Sequence, residues 1–210
     1  MSKIQILNRI RSALNNNHIP SFDPHYKDIL KYENTDLLQE YKRLQIANKA
    51  KVIQSQDLSR DVLDTLVEIE AKKVLYTLDL PFDIKDLEGN FETIAYDKKV
   101  EAIRSELFGI DTSIVKAVCG VANLGIIGIA SSPYSPRLAS LITLNCIILL
   151  DKNNIVPNLF EGTQMLKSKA NKGILPANLL FIAGPSRTAD IELQTVFGVH
   201  GPQNVSVILY

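Results

Sequence analysis

Five short apolar runs constrain the fold of this chain more than any other feature of its sequence. Each is five or six residues long, and polar or turn-forming residues separate them: Ile114–Val118, Gly125–Ala130, Cys146–Leu150, Leu179–Ala183 and Val205–Leu209. Continuous apolar runs of this length are typical of strands that are buried on both faces, as in a parallel sheet. They are too short for membrane helices, which need about 20 apolar residues, so no membrane span is expected.

Charged residues are concentrated in the part of the chain that precedes these runs. Lys and Arg together number 23, Asp and Glu together also number 23, and only 10 of these charges lie in residues 117–210. We therefore expect the second half to supply the central sheet and the first half to supply helices and outer strands. A net charge of zero argues against binding to nucleic acid or to an anionic membrane surface.

Helix-like and strand-like segments alternate along the chain. Apolar spacing predicts helices over 3–14, 35–44, 57–70, 100–107 and 155–169, and strands over 52–53, 73–77 and 91–96. This alternation predicts an α/β domain with a mostly parallel sheet flanked by helices. Asn34 or Thr35 is the expected N-cap of the second helix. We expect an N-terminal helical extension over residues 1–50 and an α/β domain over residues 51–210.

Cysteine and histidine content limits the metal chemistry expected of this chain. An iron–sulfur cluster takes about four thiolates and a structural zinc ion four ligands. Cys119 and Cys146 lie in apolar surroundings, which predicts buried, inert thiols, and the three histidines, His18, His25 and His200, show no metal-ligand spacing. We expect no metal and no cofactor in this chain. Without a secretory signal peptide, a cytoplasmic location is the expectation.

The first candidate site follows the apolar run that ends at Ala183. Gly184 and Pro185 predict a turn, and five polar or charged residues follow it: Ser186, Arg187, Thr188, Asp190 and Glu192. In open α/β sheets, ligands bind at the carboxyl ends of strands, where free N–H groups and an arginine are suited to a small anion. The alternative is structural, with Arg187 paired to Asp190 or Glu192 to hold the turn.

Two further segments carry polar residues at predicted turns. His200 lies close to two glycines, where it is a candidate general base or ligand, or a turn residue satisfied by a backbone carbonyl. Asn123 and Gly125 follow a predicted strand, but the glycines there do not form a G-x-G-x-x-G array. The loop from Ser131 to Arg137 is either a ligand-facing loop or an exposed turn. No G-x-S-x-G sequence supports a serine nucleophile.

The C-terminal part of the chain contains the run Gly-Pro-Ser-Arg-Thr-Ala-Asp-Ile-Glu over Gly184–Glu192, the run Gly-Val-His-Gly-Pro over Gly198–Pro202, and an apolar strand that follows. Together these segments resemble the LUD domain. This is the family of lactate-utilisation proteins of the LutC/YkgG type. The resemblance implies a fold similar to that of CoA transferases and phosphosugar isomerases. It also implies an accessory or structural subunit of a bacterial L-lactate oxidation system, with the iron–sulfur clusters in partner proteins. A small anionic ligand and a homo-oligomer both remain open.

One departure from the family pattern bears on catalysis. Family members typically have an acidic residue, Thr, Gly and Thr where this chain has Asn123-Leu124-Gly125-Ile126. An asparagine amide hydrogen-bonds but does not act as a base or nucleophile, so independent catalysis is not expected. The alternatives are an enzyme of the CoA-transferase or phosphosugar-isomerase kind, in which Glu161 or Glu192 replaces the missing carboxylate, and a ligand-binding sensor. The candidate ligand- or partner-binding residues are Gly184, Ser186, Arg187, Thr188, Asp190, Glu192, His200, Asn123, Gly125 and Arg137.

Overall fold

The computed structural model describes residues 2–17, 36–189 and 195–210. The helices are α1 (Lys3–Asn16), α2 (Leu37–Ala47), α3 (Leu58–Glu68), α4 (Val100–Leu107) and α5 (Leu159–Lys167). The strands are β1 (Lys51–Gln54), β2 (Lys73–Tyr76), β3 (Glu92–Ala95), β4 (Thr112–Lys116), β5 (Cys119–Val121), β6 (Ile126–Ala130), β7 (Asn145–Leu150), β8 (Ile155–Val156), β9 (Leu179–Ile182), β10 (Arg187–Ala189), β11 (Thr195–Phe197) and β12 (Asn204–Leu209).

A parallel sheet of six strands forms the centre of the fold, in the order β1-β12-β7-β4-β2-β3. All six residues of β7 are buried, because helices and loops cover both faces of the sheet. The strands β7 and β12, which come from the charge-poor half, lie in the interior of the sheet, and β1 and β3 form its edges. This confirms the expected α/β class with a mostly parallel sheet.

Two smaller sheets complete the strand pairing. A four-stranded sheet has the order β8-β5-β6-β9, in which β5 pairs with β6, and β6 with β9, in antiparallel fashion. The strands β10 and β11 form a separate antiparallel hairpin. The two apolar runs that contribute β6 and β9 are indistinguishable by sequence from those of the central sheet, and only the structure separates them. The strand β5 lies outside all five runs.

The helix predicted over 155–169 is wrong in its first part. Ile155 and Val156 form β8, which pairs in parallel with β5. Pro157 follows, and α5 begins at Leu159 with Asn158 as its N-cap, whose side-chain oxygen accepts a hydrogen bond from the Glu161 backbone N–H at 3.0 Å. Proline restricts the residue before it to extended backbone, so the helix cannot include Ile155 and Val156.

The helix α2 packs into the core of the fold. Its N-cap is Asp36, whose carboxylate accepts a hydrogen bond from the Leu38 N–H at 2.9 Å, whereas Asn34 and Thr35 lie outside the described residues. Tyr41 and Gln45 are both fully buried, and Gln45 Nε2 donates to the Tyr41 hydroxyl at 2.8 Å. By contrast, α1 buries none of its residues. The domain boundary expected at residue 50 stays a prediction.

Both cysteines are free and buried. Burial raises the pKa of the Cys119 thiol to about 11 and that of Cys146 to about 12. Both groups are therefore protonated at neutral pH, which is the form that does not react as a nucleophile. None of the helices in the described part of the chain is long and apolar enough to cross a bilayer.

Candidate functional site

The turn that begins the first candidate segment rests against the end of α2. Gly184 follows β9 with a φ of +67°, in the left-handed region that glycine adopts at little cost. A Cβ built on Gly184 would lie 2.0 Å from the backbone oxygen of Asn48. The backbone of Asn48 therefore occupies the space that any side chain at position 184 would need.

The same asparagine also holds the turn between β5 and β6. Its side-chain Nδ2 donates to the backbone oxygen of Leu124 at 2.9 Å and to that of Gly125 at 2.8 Å. Gly125 has a φ of +56°, and a Cβ there would meet the backbone of Leu44 at 2.4 Å. Asn48 thus joins the turns that carry Gly125 and Gly184, and we call this contact the Asn48 junction.

The two parts of the family motif are joined by backbone hydrogen bonds. The Ser186 N–H donates to the Pro202 oxygen at 2.8 Å, and the Gly198 N–H donates to the Ser186 oxygen at 3.0 Å. A Cβ on Gly201 would lie 3.3 Å from the Ser186 side chain. The turn at Gly184–Ser186 and the segment Gly198–Pro202 are therefore parts of one structural unit, since each supplies backbone partners to the other.

Arg187 and Thr188 lie in the β10–β11 hairpin, opposite Phe197 and Val196 respectively. The exposed Arg187 side chain donates from Nη2 to the backbone oxygen of Ala183 at 3.0 Å. His200 is exposed in the turn after β11. Asp190 and Glu192 lie outside the described residues, so their pairing with Arg187 stays a prediction.

Asn123 lies in the same turn as Gly125, next to the Asn48 junction. Its backbone N–H donates to the Pro157 oxygen at 3.2 Å. Its side-chain oxygen and nitrogen are both buried, and neither has a hydrogen-bond partner within the described residues. An unpaired buried amide is unusual, but it offers no group that titrates, so this turn has the hydrogen-bonding capacity of a binding site without an acid or base.

Glu161, the residue proposed to replace the missing carboxylate, is engaged in capping α5. Its carboxylate oxygen Oε1 accepts a hydrogen bond from Asn158 Nδ2 at 3.3 Å, and its N–H donates to Asn158 Oδ1. The two residues thus bond to each other at the N-terminus of α5, and this accounts structurally for an acidic residue at this position.

Arg137 is not part of the group around the Asn48 junction. It begins a short 3₁₀ turn (Arg137–Ser140) in the connection between β6 and β7. Gly125 precedes β6 and Ser131 follows it, so Arg137 belongs to the opposite end of that strand. There it lines a cavity of about 670 Å³ together with Lys169. The structure therefore divides the candidate residues between two places.

Sequence reasoning missed Asn48 and Tyr96. The available signal for Asn48 was its position as the C-cap of α2, directly before Lys49 with a φ of 71°, because asparagine is frequent at helix ends. Tyr96 directly follows β3 and is 1% exposed, and no motif marks it. The part of the chain that the structure describes contains no group of three or more metal-ligating side chains.

Comparisons with known proteins agree with this architecture. The LUD domain family model matches residues 29–210. An uncharacterised protein from Neisseria meningitidis serogroup B is 33% identical over 125 residues, which cover 58% of this chain and 52% of that protein. Lactate utilization protein C of Bacillus velezensis is 36% identical over 80 residues, 38% of this chain and 33% of that protein. The chain thus matches about half or less of the length of these two relatives.

A longer match is found with Lactate utilization protein C of Oceanobacillus iheyensis. It is 26% identical over 166 residues, which cover 73% of this chain and 70% of that protein. The crystal structure of a DUF162 family protein from Deinococcus radiodurans superposes with a TM-score of 0.62 at 18% identity, over 82% of this chain and 95% of that chain. At that identity the superposition establishes the fold.

Proposed function

The chain belongs to the LUD domain family, and we propose on that premise that it is an accessory subunit of a bacterial L-lactate utilisation system. The relatives called Lactate utilization protein C support this assignment. The matches cover only part of the chain or of the relative, so the activity of the whole system is carried over to this chain as a proposal. In this proposal the chain binds and positions partner proteins and has no turnover of its own.

The observation that carries the proposal is the exposure of the hairpin on which the family motif lies. The strands β10 and β11 pair only with each other among the described strands. Val196, Phe197 and Val199 are 50%, 40% and 54% exposed, and Arg187 is exposed beside them. Protein interfaces are enriched in arginine and aromatic residues, and clustered exposed apolar side chains mark interaction sites. The hairpin therefore has the composition of a docking surface.

The redox chemistry belongs to the partners in this proposal. The two cysteines of the chain are fewer than the thiolates of an iron–sulfur cluster, and both are buried. The resemblance to the family implies an acidic residue at the position of Asn123, and an asparagine there removes a candidate general base. We accordingly propose that iron–sulfur proteins of the lactate-utilisation system are the partners and that this chain carries no cofactor.

A pull-down from the native cells grown on L-lactate tests this function. The tagged full-length chain is captured, and the eluate is assayed for iron and for L-lactate oxidation. We expect both in the eluate of the wild-type protein. Phe197→Ser leaves the bond between Arg187 and the Ala183 oxygen intact, and it is expected to lose the partners without a change in thermal stability.

Arg60→Ala serves as the matched control, because Arg60 is exposed on α3 and its guanidinium pairs with Asp64 of the same helix. It should retain partners, iron and activity. An iron-free, inactive eluate from lactate-grown cells would contradict the proposal, as would full retention of the partners by Phe197→Ser.

A further inference from the structure

A cavity of about 670 Å³ lies between two segments of the chain, away from the Asn48 junction. The loop after β6 (residues 131–137) forms one wall, and the segment after α5 (residues 169–177) forms the other. Proline and aliphatic side chains supply much of the lining, and Ser131 and Asn171 add polar groups. A cavity with a largely apolar lining and a few polar groups is typical of a small-molecule site.

The charges of this cavity are of one sign. Arg137 comes from the first wall and Lys169 from the second, and the described lining residues include no Asp or Glu. Neither cation forms an ion pair within the described part of the chain. Two unpaired cations that face a common space attract an anion, and a guanidinium binds carboxylate or phosphate through two parallel hydrogen bonds.

The cavity adjoins the carboxyl edge of the parallel sheet. Leu78, which follows β2, donates its N–H to the Tyr134 oxygen at 2.7 Å. The strands β2 and β4 are neighbours in this sheet. After β2 the chain adds β3 on the side away from β4, and after β4 it adds β7 on the side away from β2. This reversal between the adjacent strands β2 and β4 is the place where open α/β sheets bind ligands.

Two buried hydroxyl groups at this edge lack partners. Thr77 follows β2 and Tyr96 follows β3, and the register of these strands places the two residues side by side. Their hydroxyl oxygens are buried, and neither has a hydrogen-bond partner among the described residues. Burial raises the pKa of Tyr96, and the nearby Arg137 acts in the opposite direction. Neither residue lines the cavity, so these hydroxyls are polar atoms without partners near its Arg137 wall and are not contacts of the proposed ligand.

We propose that this cavity binds a small organic anion whose carboxylate or phosphate group is held by Arg137 and Lys169 and whose apolar body contacts the proline and aliphatic lining. Its volume falls within the range of about 300–1,000 Å³ that accommodates drug-sized ligands. A three-carbon hydroxy acid is much smaller than such a ligand. The inference therefore goes beyond the proposed function and does not depend on it.

Calorimetric titration with small model anions tests this site on the full-length chain. The probes are phenyl phosphate and benzoate, which combine charge with an apolar ring, inorganic phosphate, which has charge alone, and benzyl alcohol, which has the ring alone. We expect phenyl phosphate or benzoate to bind more tightly than both single-feature probes. The tighter of these two shows whether the natural ligand carries a phosphate or a carboxylate.

Substitutions locate the binding. Arg137→Gln and Lys169→Gln should each weaken the better probe about tenfold or more, and raised salt should weaken it further in the wild type. Lys167→Gln, which changes an exposed lysine at the end of α5 outside the cavity lining, should leave binding unchanged. The proposal fails if no charged aromatic probe binds, if inorganic phosphate binds as tightly, or if all three variants bind like the wild type.

Discussion

Replacing Gly184 by alanine tests whether the Asn48 junction stabilises the fold. The added Cβ would lie 2.0 Å from the Asn48 oxygen, where ordinary contact begins at 3.4 Å. Backbone atoms must therefore move by more than an ångström, and overpacking of this kind costs about 1–3 kcal/mol. The left-handed backbone adds about 1–2 kcal/mol for a residue with a Cβ. We expect the free energy of unfolding to fall by about 2–5 kcal/mol.

Gly173→Ala provides the matched control. Gly173 has a φ of +78°, but a Cβ there would meet no atom within 4 Å. This variant should lose only the conformational contribution of about 1–2 kcal/mol. Urea denaturation of both variants measures the difference between their free energies of unfolding. The slope of free energy against urea concentration is compared as well, to exclude a change in the unfolded state. Equal losses in the two variants would refute the role assigned to the Asn48 contact.

Three further predictions concern the core and the junction. Asn48→Ala removes two hydrogen bonds and should lower the free energy of unfolding by about 1–3 kcal/mol in urea denaturation. Asn48→Asp should lower it more, because the carboxylate would face two carbonyl oxygens. An equal or smaller loss for Asn48→Asp would contradict this. Tyr41→Phe should cost about 1–3 kcal/mol because it leaves Gln45 Nε2 unpaired in the core, and adding Gln45→Leu should recover part of that loss; a double variant less stable than Tyr41→Phe would count against it. The raised pKa values of Cys119 and Cys146 mean that the folded state keeps thiol protons that the unfolded state releases above pH 9. The free energy of unfolding should therefore keep the full contribution of these thiols below pH 9 and fall between pH 9 and pH 11–12. The expected fall is up to about 1.4 kcal/mol per pH unit for each thiol. Cys146→Ala should reduce that slope, measured by urea denaturation at a series of pH values, and an unchanged slope would show that other groups cause it.

The central strands could be predicted because burial on both faces requires a continuous run of apolar residues, which is visible in the local sequence. Cys146–Leu150 and Val205–Leu209 have no polar residues except Ser206, and they are β7 and β12. No local sequence pattern shows that Gly125–Ala130 belongs to a second sheet. An apolar run indicates a buried strand, but contacts between distant parts of the chain determine which strands it pairs with.

The candidate site shows the same division between local and distant information. Ser186, Gly198 and Pro202 could be grouped by sequence because their backbone partners lie within the same short segment. The contact of Gly184 with Asn48 could not, since well over a hundred residues separate the two in the sequence. Arg137 was singled out as part of the polar loop that begins at Ser131. Lys169 lines the same cavity but belongs to a different segment, and no spacing rule connects the two residues.

The position of β12 between β1 and β7 has a consequence for synthesis on the ribosome. β1 pairs with β12 along its whole length, and the two strands are about 150 residues apart, so at ~5–20 residues per second β1 waits roughly 8–30 s for its neighbour. β1 presents unpaired N–H and C=O groups throughout that interval, and the facing edge of β7 does so only for about its last third, because β7 is synthesised shortly before β12. Unpaired strand edges readily recruit foreign strands. The nascent chain should therefore depend on chaperones until β12 emerges and closes the gap in the sheet.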